Sequence, residues 1–112
     1  MASHYLLEEA KRLQGEIAEL KASELAPDFC SLYEFEKKLK SGGTATYIGR
    51  SSVDANGQQR NKYVGRKGSE KHLTWKGKIQ RKNRCSALEK QLAMVQEVIR
   101  LQDESEQGWA AA

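Results

Sequence analysis

The chain has one proline, two cysteines and no long apolar run, and each shortage excludes something. No stretch approaches the roughly 20 apolar residues that a membrane-spanning helix needs. The opening segment MASHYLLEEAKRLQ carries charges every few residues and no apolar core, so it does not read as a signal peptide. Cys30 and Cys85 stand far apart with no CxxC, and the two histidines form no HxxxH pair, so no zinc site is expected. Sparse, unpaired cysteines fit free thiols in a reducing cytoplasm. With 38% apolar and 30% charged residues in 112 positions, a single domain is expected, but not a large independent core. Such a chain completes its burial by pairing helices or by oligomerising.

Acidic residues are scarcest where basic ones are densest. From Lys37 to Arg84 there are fourteen Lys or Arg against two acids, Asp54 and Glu70, an excess of twelve positive charges. The rest of the chain holds five bases and thirteen acids, an excess of eight negative charges. The formal net charge of +4 hides this division, and it is the local charge that sets the field a polyanion meets.

Residues 3–25 read as a helix. Leu6, Ala10, Leu13, Ile17 and Leu20 recur at spacings of 4, 3, 4 and 3, a heptad seam with Ser3 placed to cap it. Pro27 ends that run and suits the first turn of a second helix, expected over 28–40. There Phe29, Leu32, Tyr33 and Leu39 share a side, acids precede lysines as the helix dipole favours, and Gly42-Gly43 closes the segment. A long helix starts after Gly68 with Ser69 as cap. Its second half carries another seam, Cys85, Leu88, Leu92, Val95, Ile99 and Gln102. Leu73, Trp75 and Ile79 do not continue that register cleanly, so a stutter or kink is expected near Gly77–Lys82.

Between these helices the chain writes Tyr-Ile-Gly-Arg at 47–50 and Tyr-Val-Gly-Arg at 63–66, with Asn56-Gly57 midway. Asn-Gly is a strong signal for a two-residue hairpin turn, which would set Arg50 opposite Tyr63 and Tyr47 opposite Arg66. Gly49 and Gly65 would mark a bulge or a close backbone approach. An isolated ribbon is marginal in water, so Trp75 and Ile79 are expected to pack beneath it. The fold expected is thus mainly α with a β-hairpin, an α+β chain. Its order is helix, helix, β-hairpin, long helix, with coiled-coil-like helix packing. The divisions are 1–40 helical, 44–67 hairpin, 69–106 long helix and 107–112 a flexible tail.

The candidate site is the basic middle. Arg50, Arg60, Lys62, Arg66 and Lys67 lie on the ribbon; Lys76, Lys78, Arg81 and Arg84 lie on the helix; Tyr47, Tyr63 and Trp75 are interleaved. Guanidinium and ammonium groups neutralise phosphates, and aromatic rings stack on bases. These cations are expected on one exposed surface, binding nucleic acid or a phosphate-rich nucleotide ligand, in a homo-oligomer built through the seams. The competing expectation is an interaction module docking on an acidic protein, such as a phage-type inhibitor of a nucleic-acid-binding complex. The segment GRKGSEKH at 65–72 enters a helix, where free N–H groups attract anions, but it lacks the spacing of a P-loop. No catalytic set stands out: Cys85 and His72 are 13 residues apart on one helix, roughly 20 Å of rise. No cofactor is implied.

Overall fold

A computed structural model describes residues 3–111 of the chain, with side chains through residue 105. The element order is α1 (His4–Ala22), β1 (Ser31–Lys38), β2 (Thr44–Val53), β3 (Gln59–Arg66) and α2 (Glu70–Ala111). The chain divides into two compact units, one made of Met1–Glu24 with Asn83–Ala112 and the other of Leu25–Lys82. The division falls inside α2, at the end of the stretch where the heptad register is lost, although the helix runs on unbroken. The side chains of the tail expected at 107–112 lie outside the described residues.

In the first unit, α1 and the later part of α2 run antiparallel. The Ser3 N–H donates to Gln102 Oε1 (3.2 Å), Lys21 Nζ lies 3.1 Å from Glu89, and Arg84 reaches Glu16 at 3.7 Å. The two seams meet: Ala10, Leu13, Ile17, Cys85 and Leu88 are buried. The outer faces are solvated and charge-laced, with Arg12 between Glu9 and Glu16 and Arg100 between Glu97 and Glu104. α1 begins one residue past Ser3, as the capping reading requires, but the Ser3 hydroxyl makes no cap bond.

The second unit is a three-stranded antiparallel sheet in the order β1-β2-β3, with the start of α2. Here the sequence expectation fails first at the second helix. Residues 28–40 are not a helix: Ser31–Lys38 is strand β1, paired along its length with Thr44–Ser51. Tyr33 and Phe35 alternate with charged neighbours at a period of two, and cross-strand pairing with Gly49 and Tyr47 overrides the weak helical pattern. Gly42-Gly43 accordingly belongs to a hairpin turn rather than a helix stop. The Leu39 N–H donates to the Gly43 carbonyl (2.7 Å), and Gly42 sits at φ 94°.

The β2–β3 turn has the same build. The Asp54 N–H donates to the Gln58 carbonyl (2.9 Å), and Gly57 takes φ 80°. This is a three-residue loop ending on a left-handed glycine, not the two-residue turn expected from Asn56-Gly57. The extra residue moves the register by one, so Arg50 faces Lys62 and not Tyr63. A bulge between Ile48 and Gly49 then restores it, and Tyr47 faces Arg66 as expected.

Candidate nucleic-acid interface

Strand alternation sorts the sheet's side chains onto two faces. One face carries Leu32, Glu34, Ile48 and Arg50 and lies against α2. The Arg50 guanidinium sits 4.2 Å from the centre of the Trp75 ring, Lys78 Nζ lies 4.7 Å from the same ring, and Lys67 Nζ is 2.9 Å from Glu34. Ile48 is fully buried, and Val64 is buried with it. A shallow groove beside this face is lined by residues that include Leu32, Tyr33, Ile48, Lys67, His72 and Lys76, so Tyr33 borders it as well. Gly65 is where strand and helix start come closest: a Cβ there would stand 2.9 Å from Ser69 Oγ.

The other face is aromatic. The cross-strand rows are Phe35–Tyr47–Arg66 and Tyr33–Gly49–Tyr63, followed by Ser31–Ser51–Asn61. The rings form a chain: Tyr33 to Phe35 at 6.0 Å between centroids, Phe35 to Tyr47 at 5.9 Å, and Tyr47 to Tyr63 at 5.9 Å. Gly49 is the gap that makes this possible, because a Cβ there would collide with the Tyr33 ring near its hydroxyl end. Tyr63 remains 64% exposed and Tyr33 38%. Lys37, two residues beyond Phe35, shares this face and extends it.

The sequence-predicted site residues are therefore divided. Tyr47, Tyr63 and Arg66 meet on the aromatic face. Arg50, Lys67, Lys76, Lys78 and Trp75 belong to the helix-covered side, where Trp75 braces two cations. Arg60 and Lys62 also take the parity of that side. Arg84 lies in the other unit, opposite Glu16. Arg81 is half-buried on α2. The expectation of one shared surface is corrected by this pleat: alternation sends neighbouring ribbon residues to opposite sides. Missing from the sequence list are Tyr33, Phe35 and Lys37, all in the segment read as a helix. Their signal was the Tyr-Glu-Phe alternation.

Several cations are engaged internally. Arg60 Nε donates to Asp54 Oδ2 (3.0 Å), and Lys82 pairs with Asp28 at 2.7 Å. The Asp54 carboxylate also accepts the backbone N–H groups of Asn56 and Gln58, both at 2.9 Å. The bond from Gln58 above all, then that from Arg60, holds its pKa below the usual aspartate value. Lys37, Lys38, Lys40, Lys62, Arg66, Lys71 and Lys76 make no ion pair among the described residues. Burial raises the Cys30 pKa, and nearby Arg50 opposes the rise.

The start of α2 is capped from within. The His72 N–H donates to Ser69 Oγ (3.3 Å), and the Gly68 N–H donates to His72 Nδ1 (2.9 Å), so two of the groups that could attract an anion are taken. Among the described residues no cluster of three or more His, Cys, Asp or Glu could hold a metal ion, and no helix is long and apolar enough to cross a membrane. Compared with family models, curated proteins and solved structures, the chain matches none.

Proposed function

We propose that this is a small oligomeric nucleic-acid-binding protein whose sheet unit makes the contact. The observation that carries the reading is the way charge follows architecture. Residues 25–82 hold thirteen Lys and Arg against five Asp and Glu, a formal +8, whereas the helical unit holds six against ten, a formal −4. Of these, Lys37, Lys38, Lys40, Lys62, Arg66, Lys71 and Lys76 make no ion pair among the described residues, so they stand ready to displace counterions from phosphates. The acidic helical unit would repel the same ligand and so orient it.

The oligomer has its own support. On α2, Met94, Val98 and Leu101 are exposed at spacings of 4 and 3, an apolar stripe beside the buried seam. The buried core of the helical unit is short, so a second copy laid on this stripe would add the burial that one copy lacks. Light scattering should then give a multiple of the 12.6 kDa chain mass, and Val98→Lys should lower it.

Binding is tested by fluorescence anisotropy with a labelled oligonucleotide. If about five cations contact phosphates, raising salt from 50 to 200 mM lowers affinity about a hundredfold on a single strand. Arg66→Glu should weaken binding and flatten the salt slope; the exposed Arg66 side chain makes no ion pair among the described residues, so its reversal should leave the fold intact. Affinity indifferent to both changes contradicts the reading. A partner that survives nuclease and high salt in a pull-down would favour docking on an acidic protein instead.

A further inference from the structure

We infer that the open face of the sheet is a base-stacking platform for single-stranded nucleic acid, an inference that rests on the nucleic-acid reading above and adds the strandedness. Four rings, Tyr33, Phe35, Tyr47 and Tyr63, form a continuous chain across all three strands, with neighbouring centroids 5.9–6.0 Å apart. The face opposite meets the start of α2, where Arg50 lies over the Trp75 ring. The rings are therefore not needed to seal the sheet to its helix. Tyr63 is 64% exposed and Tyr33 38%, with Phe35 and Tyr47 half-buried beside them, so the row offers aromatic surface to an occupant.

Charge selects the occupant. Arg66 ends the row Phe35–Tyr47–Arg66, and Lys37 stands beyond Phe35, so cations border the rings on β1 and on β3. Neither makes an internal ion pair. No carboxylate belongs to the face: the acids of β1, Glu34 and Glu36, point to the other side by alternation. Beyond Tyr33 and Tyr63 the row Ser31–Ser51–Asn61 adds hydroxyl and amide groups, and Gln59 Nε2 donates to Ser51 Oγ (2.7 Å). Aromatic surface bordered by cations and amides fits unstacked bases joined by phosphates. A paired duplex presents only base edges in its grooves, which flat rings cannot stack upon.

Gly49 is the positioning residue of the platform. It leaves the middle of the central strand without a side chain, and the Tyr33 ring lies across it. The Tyr-x-Gly-Arg copies thereby gain a purpose in the second row, where Tyr33 and Tyr63 flank a glycine and not a third bulky residue.

The experiment compares labelled dT12, rU12 and a twelve-base-pair duplex by anisotropy on the full chain. Wild type, Tyr63→Ala, Tyr63→Phe and Gly49→Val are measured at 50 and 200 mM salt. The platform predicts tighter binding of single strands than of duplex. It also predicts about a tenfold loss for Tyr63→Ala on single strands alone, and near-full affinity for Tyr63→Phe, which keeps the ring. Tyr63 is exposed, so its truncation leaves the core intact; Gly49→Val, which displaces Tyr33, should reproduce the loss with circular dichroism unchanged. Salt-dependent binding of duplex and single strand alike, untouched by Tyr63→Ala, overturns the platform and leaves the nucleic-acid reading standing. No binding of any strand at 50 mM salt overturns both. A DNA or RNA preference between dT12 and rU12 identifies which strand the platform takes.

Discussion

Two residues show how much single side chains decide in a chain with so thin a core. Gly49 is required by its neighbour: any Cβ there collides with the Tyr33 ring. Gly49→Ala should destabilise the protein by about 1–3 kcal/mol, the usual cost of overpacking, measured by urea denaturation. Asp54 organises the β2–β3 turn through two backbone N–H groups and Arg60. These bonds favour its ionised form, so its pKa is lower folded than unfolded. A depressed carboxylate contributes stability above the unfolded pKa, near 3.8, and loses it as pH falls through the folded value. Acidification below about pH 4 should therefore speed amide exchange at Asn56 and Gln58, and Asp54→Asn should remove that acid dependence. Exchange indifferent to pH beyond its intrinsic chemistry would contradict the assignment.

At the scale of elements, turns and bulge act together on register. Both hairpin loops end on a left-handed glycine, Gly42 and Gly57. Gly57→Ala should cost roughly 1–2 kcal/mol, the left-handed penalty for an L side chain, read as a lower melting temperature. The longer loop alone would turn every later residue of β3 to the wrong face, and the bulge undoes this before Arg66. The helical pair depends on a few contacts: Leu13 is 1% exposed, so Leu13→Ala should cost about 2–5 kcal/mol. Both seams were legible in the sequence because five or six apolar residues kept one period. The β2–β3 ribbon was legible from its repeat and its glycine turn. β1 was not: Phe29, Leu32, Tyr33 and Leu39 imitate a helical face, while the alternation of Tyr33 and Phe35 spans only three residues. What decided the segment was its pairing with β2, a contact that lies outside any local window. The aromatic face was half missed for the same reason, since two of its four rings come from β1. The loop length was missed because Asn-Gly fits both a two-residue turn and the end of a three-residue one.

For the whole molecule, charge and architecture divide at the same place. The unit of 25–82 carries a formal +8 and has four buried apolar residues, Ala45, Ile48 and Val64 in the sheet and Ala26 before it. So small a core leaves Tyr33 and Tyr63 exposed on the aromatic side of the sheet. The acidic helical pair supplies the opposite sign and exposes Met94, Val98 and Leu101, the stripe proposed above for self-association. Amide chemical-shift mapping tests the central claim most directly: the labelled full chain titrated with dT12 at low salt. The account predicts shifts concentrated at Tyr33, Phe35, Tyr47, Tyr63 and Arg66, fading as salt rises, with α1 silent. Shifts gathered on α1 and the later part of α2, or none at any residue, would contradict it.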